Sequence, residues 1–365
     1  LLESVNSSYL QPLRQKCIQN VLNELPELSI KPNVTSTNLT TIVNECNSDT
    51  DWAELWRHII LKTLGNKFES LEQVDTYLNQ KDRKIIFLID GLEDLVTRLE
   101  DKTDCNWKTA IRTITQDLIN ELRNLSYGNI GIVVFVRKDI AEEAISVNFA
   151  QFMNQYQRYE LVWTPTEALR LALWIGSQAV PDILGKNIDI LRASREALEK
   201  ELETLWGKKL GKKDSREAIS ARWIIAALSD FTGQLQARDI VRFLEYATKT
   251  HADVNIRYPD RYIMPSEIRK AIPECSKDKY GEIKDEMKTI YLILQKFERM
   301  DDNEKQLPLI FDKITLNSDE ISKLENQGYL RSVDQQYYLP EIIRYALGFK
   351  YAKGARPRVL SMSKN

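Results

Sequence analysis

The segment KIIFLIDGLEDL (residues 84–95) carries a continuous apolar run that stops on an aspartate, a glycine and two further acids. A half-buried surface strand alternates apolar and polar residues. Here Ile85, Ile86, Phe87, Leu88 and Ile89 are apolar throughout, which predicts a strand covered on both faces, as in a parallel sheet. Open α/β sheets hold ligands beyond the carboxyl ends of their strands, so Asp90 lies where a ligand is expected. The plainer alternative is an acidic turn closing a core strand.

The sequence on either side supports a sheet of that kind. Trp107, Ile111, Ile114, Leu118, Leu122 and Leu125 recur at helical spacing, and Tyr127-Gly128-Asn129 then leads into a second apolar run, IGIVVFV, residues 130–136. Strand, amphipathic helix and strand make a βαβ crossover, which sets the two strands parallel. The second run also ends in charge, at Arg137, Lys138 and Asp139, on the same sheet edge as Asp90. A third short run, YELVW (residues 159–163), is expected as another strand.

Upstream, Leu10, Leu13, Cys17, Val21 and Leu25, then Trp52, Leu55, Trp56, Ile59 and Ile60, predict helices on either side of the polar stretch NVTSTNLT. Downstream, Thr164 as N-cap, Pro165 at the first helical position and Glu167 closing a capping box start a helical region that runs to about Thr250. The basic stretch GKKLGKK (residues 207–213) interrupts it, as a solvated loop or, alternatively, a nucleic-acid contact. Beyond Ile283, a helix with Met287, Ile290, Leu294 and Phe297 inward precedes NSDEISKLENQGYL and two short strands around Asp334-Gln335. Helices followed by a small hairpin predict a winged helix. The expected domains are therefore an α/β core (1–163), a helical lid (164–282) and a winged helix with a basic tail (283–365).

Global properties exclude several classes. The 365 residues are 43% hydrophobic and 28% charged, ordinary for a globular protein. A net charge of −2 gives no general affinity for nucleic acid. No apolar run is long enough to span a bilayer. The four cysteines lie far apart without a C-x-x-C pair, and only two histidines occur, which argues against a zinc knuckle, a disulfide scaffold or a histidine-rich metal site. Reduced thiols and a cytoplasmic location are expected. The chain opens Leu-Leu-Glu-Ser without an initiator Met or a signal-peptide pattern, so a fragment of a longer protein is expected.

An apolar strand ending in Asp-Gly-Leu-Glu-Asp resembles the Walker B element of P-loop NTPases, particularly the AAA+ and STAND branches. Mg²⁺ on a nucleotide keeps several waters and needs only one or two protein carboxylates. The resemblance implies Asp90 for the Mg²⁺ of ATP, Gly91 for the sharp turn beside a phosphate, and Glu93 or Asp94 to polarise the attacking water. It also implies Arg137 as a "sensor 1" residue stabilising the transferring phosphoryl, against the alternative of a surface pair with Asp139 or Glu142. In GQLQARDIVRFLEYA (residues 233–247), Arg238 matches the "sensor 2" arginine of AAA-type lids, a planar cation suited to bridging phosphate oxygens. Helix-capping salt bridges are its alternative role.

From that strand onward the chain resembles the C-terminal half of bacterial multi-domain ATPases in which a ParA/MinD-like domain precedes an AAA/STAND-like module. The residues that carry the likeness are IIFLIDGLEDL, RWIIAALSDFTGQLQARDIVRFL, IPECS with its following acidic helix, YYLPEIIRYALGF and GARPRVL. It implies an α/β P-loop core, incomplete at its N-terminal side, with a helical lid and a C-terminal winged helix. One departure stands out. No G-x-x-x-x-G-K-[ST] occurs in the 365 residues, although that loop supplies the phosphate cradle. It is expected upstream of Leu1, in a ParA-like segment that would also be this chain's chief partner, and the chain alone is expected to hydrolyse ATP poorly.

The function so implied is an ATP-dependent conformational switch within a larger ATPase, with a homo-oligomer possible in principle and no membrane contact. Two alternatives stay open. One is a non-catalytic scaffold with a degenerate site. The other is a DNA-binding partition or initiator factor using the winged helix, whose basic tail holds Arg344, Lys350, Lys353, Arg356, Arg358 and Lys364. The acids in DEISKLENQGYL suit a protein contact better than a DNA groove.

Overall fold

The computed structural model describes residues 19–26, 28, 50–65, 67–100, 106–180, 184–249 and 258–362, without the side chains at 94, 97, 98, 100, 357 and 358. Leu10, Leu13, Cys17, the NVTSTNLT stretch and residues 101–105 lie outside them. The chain divides after Glu160 into two compact units.

In the first unit, α1 (Trp52–Thr63) begins where the Asp51 carboxylate accepts from the amides of Ala53 and Glu54, and it buries Trp52, Trp56 and Ile60. Helix α2 (Leu71–Gln80) is capped by Ser70. Strand β1 (Ile85–Ile89) leads into α3 (Leu92–Glu100). The next helix, α4, is continuous but wound in three parts: Trp107–Arg112, a π-helical turn over Thr113–Asp117, and Leu118–Arg123. Its Trp107, Ile111, Ile114, Leu118 and Leu122 are buried, as their spacing predicts. Strand β2 (Ile130–Val134) follows, then α5 (Lys138–Ala144) and α6 (Phe149–Tyr156).

Strands β1 and β2 are parallel, in register from Ile85↔Ile130 to Ile89↔Val134. The βαβ reading therefore holds for this pair. Burial on both faces does not. Ile85, Phe87, Ile89, Ile130, Ile132 and Val134 pack into the core of the first unit, while Ile86 and Leu88 are 65% and 69% exposed and Val133 and Phe135 are also exposed. The sheet has two strands among the described residues, and helices cover one side of it, so apolar side chains of the other pleat remain open. YELVW is not a strand: Gln157–Tyr159 is a 3₁₀ turn, closed by the Glu160 amide on the Gln157 carbonyl, and Leu161 and Val162 beyond it are exposed.

The second unit begins with α7 (Pro165–Ala179), whose Thr164 hydroxyl accepts from the Glu167 amide at 3.2 Å. The expected capping box is only half formed, because the Glu167 carboxylate turns to Arg170 instead. Helices α8 (Arg195–Glu201), α9 (Glu203–Trp206), α10 (Ser220–Leu228), α11 (Ala237–Thr248) and α12 (Pro265–Glu286) follow. Then come α13 (Lys288–Glu298), β3 (Gln306–Leu307), β4 (Leu309–Ile310), α14 (Ser318–Asn326), β5 (Arg331–Val333), β6 (Gln336–Tyr338), α15 (Glu341–Arg344), β7 (Lys350–Tyr351) and α16 (Ala355–Met362).

The expected division between residues 282 and 283 falls inside α12, and residues on both sides of it share one hydrophobic core. Near the C-terminus, β4, β6 and β5 form an antiparallel sheet in that order. Asp334 and Gln335, both at positive φ, make the two-residue hairpin turn. Among the described residues, part of the basic tail is tied down. Strand β7 pairs with β3, and Arg344 and Arg356 bind the buried Glu341.

Candidate functional site at the β1–β2 strand ends

The parallel register brings the carboxyl ends of both strands to one edge. The Phe135 amide donates to the Ile89 carbonyl at 2.8 Å, the last rung before the strands part. Beyond it, Asp90 is exposed and Gly91 adopts φ +83°, a left-handed turn that an L side chain resists. The turn feeds straight into α3, anchored by the buried Leu92, Leu95 and Leu99. Asp90 Oδ1 accepts from the Gly91 amide at 3.0 Å, and its other oxygen accepts no bond among the described residues. One exposed carboxylate with an open oxygen fits a hydrated Mg²⁺, which takes few protein ligands. No group of three metal-ligating side chains occurs among the described residues. Glu93 lies half-buried in the first turn of α3 and is engaged. Asp94 is in the same turn, with its side chain outside the description.

Arg137 is the N-cap residue of α5. Its guanidinium grips Asp139 with Nε–Oδ1 at 3.2 Å and Nη2–Oδ2 at 2.7 Å, and the side chain is 27% exposed. The structure thus places Arg137 at the same edge as Asp90 but engages its planar fork with a neighbour two residues on.

Arg238, in the second unit, lies at the start of α11. Its Nε donates to Gln236 Oε1 at 2.7 Å, and it pairs with Glu282 at 3.1 Å and Glu286 at 3.0 Å. Burial works against its charge, but the Glu286 hydrogen bond and both carboxylates outweigh this and hold its pKa above the ordinary arginine value. Arg242, one turn along, pairs with Glu282 and Asp278, and the buried Lys279 reaches Asp239 at 3.3 Å. These contacts zip α11 to the acidic face of α12. Arg238 and Arg242 at i,i+4, facing Asp278, Glu282 and Glu286 at the same spacing, were the sequence signal for this zipper.

Each unit also holds a cavity of about 460 Å³. The first lies between α4 and α6 and includes none of Asp90, Glu93 and Arg137. The second gathers Trp163, Pro165, Arg195, Arg222 and residues 232–234, without Arg238. Among the described residues no helix is long and apolar enough to cross a membrane. Compared with protein-family models, curated proteins and solved structures, the chain matches none.

Proposed function

We propose that the chain is the strand-edge and lid portion of an ATP-dependent conformational switch of the P-loop, AAA/STAND-like type, with a winged helix at its C-terminal end. The observation that carries this reading is the parallel in-register pairing of β1 with β2, which sets Asp90-Gly91 and Arg137 at one sheet edge. Support for the winged helix is the succession α13, β4, α14 and the β5–β6 hairpin, with strand order β4-β6-β5. In this reading Asp90 would hold a hydrated Mg²⁺, Glu93 would orient the attacking water, and Arg137 and Arg238 would each exchange a carboxylate partner for a phosphate oxygen. Bound Mg²⁺ supplies charge neutralisation on the phosphates. The phosphate cradle comes from a separate P-loop element, because residues 1–365 contain no G-x-x-x-x-G-K-[ST].

A non-catalytic scaffold is the second reading, favoured by the capture of Arg137 and Arg238 by acids. Calorimetry of the chain with ATP, with and without Mg²⁺, separates the two. The switch reading expects Mg²⁺-dependent binding weaker than about 100 µM, since the few side-chain contacts left without a cradle seldom exceed ~5–6 kcal/mol, and expects Asp90→Ala to abolish it. Binding that ignores both Mg²⁺ and Asp90→Ala, or no binding at all, favours the scaffold.

A further inference from the structure

Residues 207–217, GKKLGKKDSRE, contain five basic and two acidic side chains. The composition suggests a loose solvated loop, but the backbone is fixed. Arg261, its side chain sealed from solvent, enters the loop from fifty residues downstream. Its Nη1 donates to the carbonyls of Trp206 at 3.4 Å and Lys209 at 2.7 Å, and its Nη2 donates to that of Gly211 at 3.0 Å. Asp260 holds the same guanidinium through Nε at 3.1 Å and Nη2 at 2.9 Å.

Gly207 makes this approach possible. It sits at φ +76°, and a Cβ there would fall 2.0 Å from Arg261 Cζ. The returning strand adds further ties: the Leu210 amide donates to Ala218 and the Ser220 amide to Lys208, both at 3.0 Å, and Lys209 bridges Ile219 antiparallel. Lys209 Nζ closes the loop on the Ser215 carbonyl. Leu210, its one large apolar side chain, is buried in the core.

What this frame presents outward is charge. Lys208, Lys212, Lys213 and Arg216 are exposed, and none forms an ion pair among the described residues. Of the two acids, Glu217 is taken by Arg269 at 2.5 Å, and Asp214 is exposed next to Lys213. By contrast, Arg238, Arg242, Lys279, Arg344 and Arg356 of this unit are each matched to carboxylates.

We propose that this loop is a docking surface for the phosphate backbone of nucleic acid, independent of the nucleotide site. Cations held on a fixed frame lose little further backbone freedom on binding, which favours association. Long, exposed cationic side chains can displace the counterions condensed on a polyanion. The loop exposes no aromatic side chain on which a base could stack, so its cations act chiefly on the phosphate backbone. It offers no apolar side chain to insert among lipids, which favours nucleic acid over a membrane surface.

The test is fluorescence anisotropy with a labelled 20-base-pair DNA duplex over a series of salt concentrations. Four phosphate contacts give a slope of log K against log salt of about −3.6, from ~0.9 per contact. Lys208→Gln, Lys212→Gln and Lys213→Gln together should weaken binding at least tenfold at low salt and flatten the slope by about 2.7 on the same basis. Arg261→Lys keeps the charge but cannot fork to three carbonyls, and should weaken binding with the surface lysines intact. Should that variant fail to fold, the triple surface variant, checked by circular dichroism, carries the test alone. Unchanged duplex affinity in the triple variant overturns the proposal, as does binding to phosphatidylserine vesicles with none to the duplex.

Discussion

Arg344 Nε donates to Glu341 Oε2 at 2.8 Å, with the Glu341 side chain wholly buried and that of Arg344 nearly so. Tyr351 Oη and Arg356 Nη2 also bind the Glu341 carboxylate. The Arg344 guanidinium lies over the rings of Tyr345 and Tyr351, at 3.7 and 4.4 Å from their centroids. The YYLPEIIRYALGF and GARPRVL stretches therefore meet in one ionic knot that ties α15, β7 and α16 together.

Removing the charge from that knot leaves two guanidiniums short of their partner. Glu341→Gln is expected to cost about 3–5 kcal/mol, the range for breaking a buried pair from one side. Chemical denaturation of the variant beside the wild type measures it.

The same carboxylate makes stability depend on pH. Burial alone would push the Glu341 carboxyl up, but the hydrogen bond and charge of Arg344, with Arg356 and Tyr351, outweigh it and hold the group below its ordinary value of 4.5. The unfolded chain thus takes up a proton first as pH falls. The stabilisation is complete above about pH 4.5 and is lost as pH drops through the depressed folded-state value. Melting temperatures between pH 7 and 3 should fall less steeply for Glu341→Gln; parallel curves would show that the knot does not govern acid sensitivity.

Asp75 performs a comparable task in the first unit. Buried on α2, it accepts from the amides of Tyr127 and Asn129, each at 2.8 Å, and so fixes the turn that launches β2. Asp75→Ala leaves two backbone donors without an acceptor and should cost about 2–4 kcal/mol. Amide exchange at Tyr127 and Asn129 should quicken ahead of the β2 core.

Phe87 and Leu88 are adjacent on β1 but face opposite sides of the sheet. Leu88→Ala should change stability by less than ~1 kcal/mol, whereas Phe87→Ala, facing the packed side, should cost about 2–4 kcal/mol. Equal losses would mean that the open face is covered in solution.

Gly328 is held by contact as well as by conformation. It has φ +69°, and an added Cβ would lie 2.7 Å from Asp230 Cγ, on the turn that the Thr232 and Gln234 amides build around that carboxylate. Gly328→Ala should destabilise by about 1–3 kcal/mol; a melting temperature within a degree of wild type would contradict the contact.

The chain's local grammar was legible. The 3.6-residue period of α4, the two apolar runs of β1 and β2, the Thr164 cap and the Asp334-Gln335 hairpin are each written within a few residues, because caps, turns and periodicities are short-range physics. Their order also determined that β1 and β2 run parallel and that Asp90 and Arg137 share an edge. What the sequence left open is which charges find each other and which faces find cover. Arg238 meets Glu286 forty-eight residues away, Arg261 meets Gly211 across fifty, and Ile86 and Leu88, apolar as any core residue, stay exposed. Arginine pairs with whichever carboxylate the packing brings within reach, and an apolar strand is buried only where another layer arrives. Both outcomes depend on distances between elements far apart in the chain, and only the tertiary structure sets those distances.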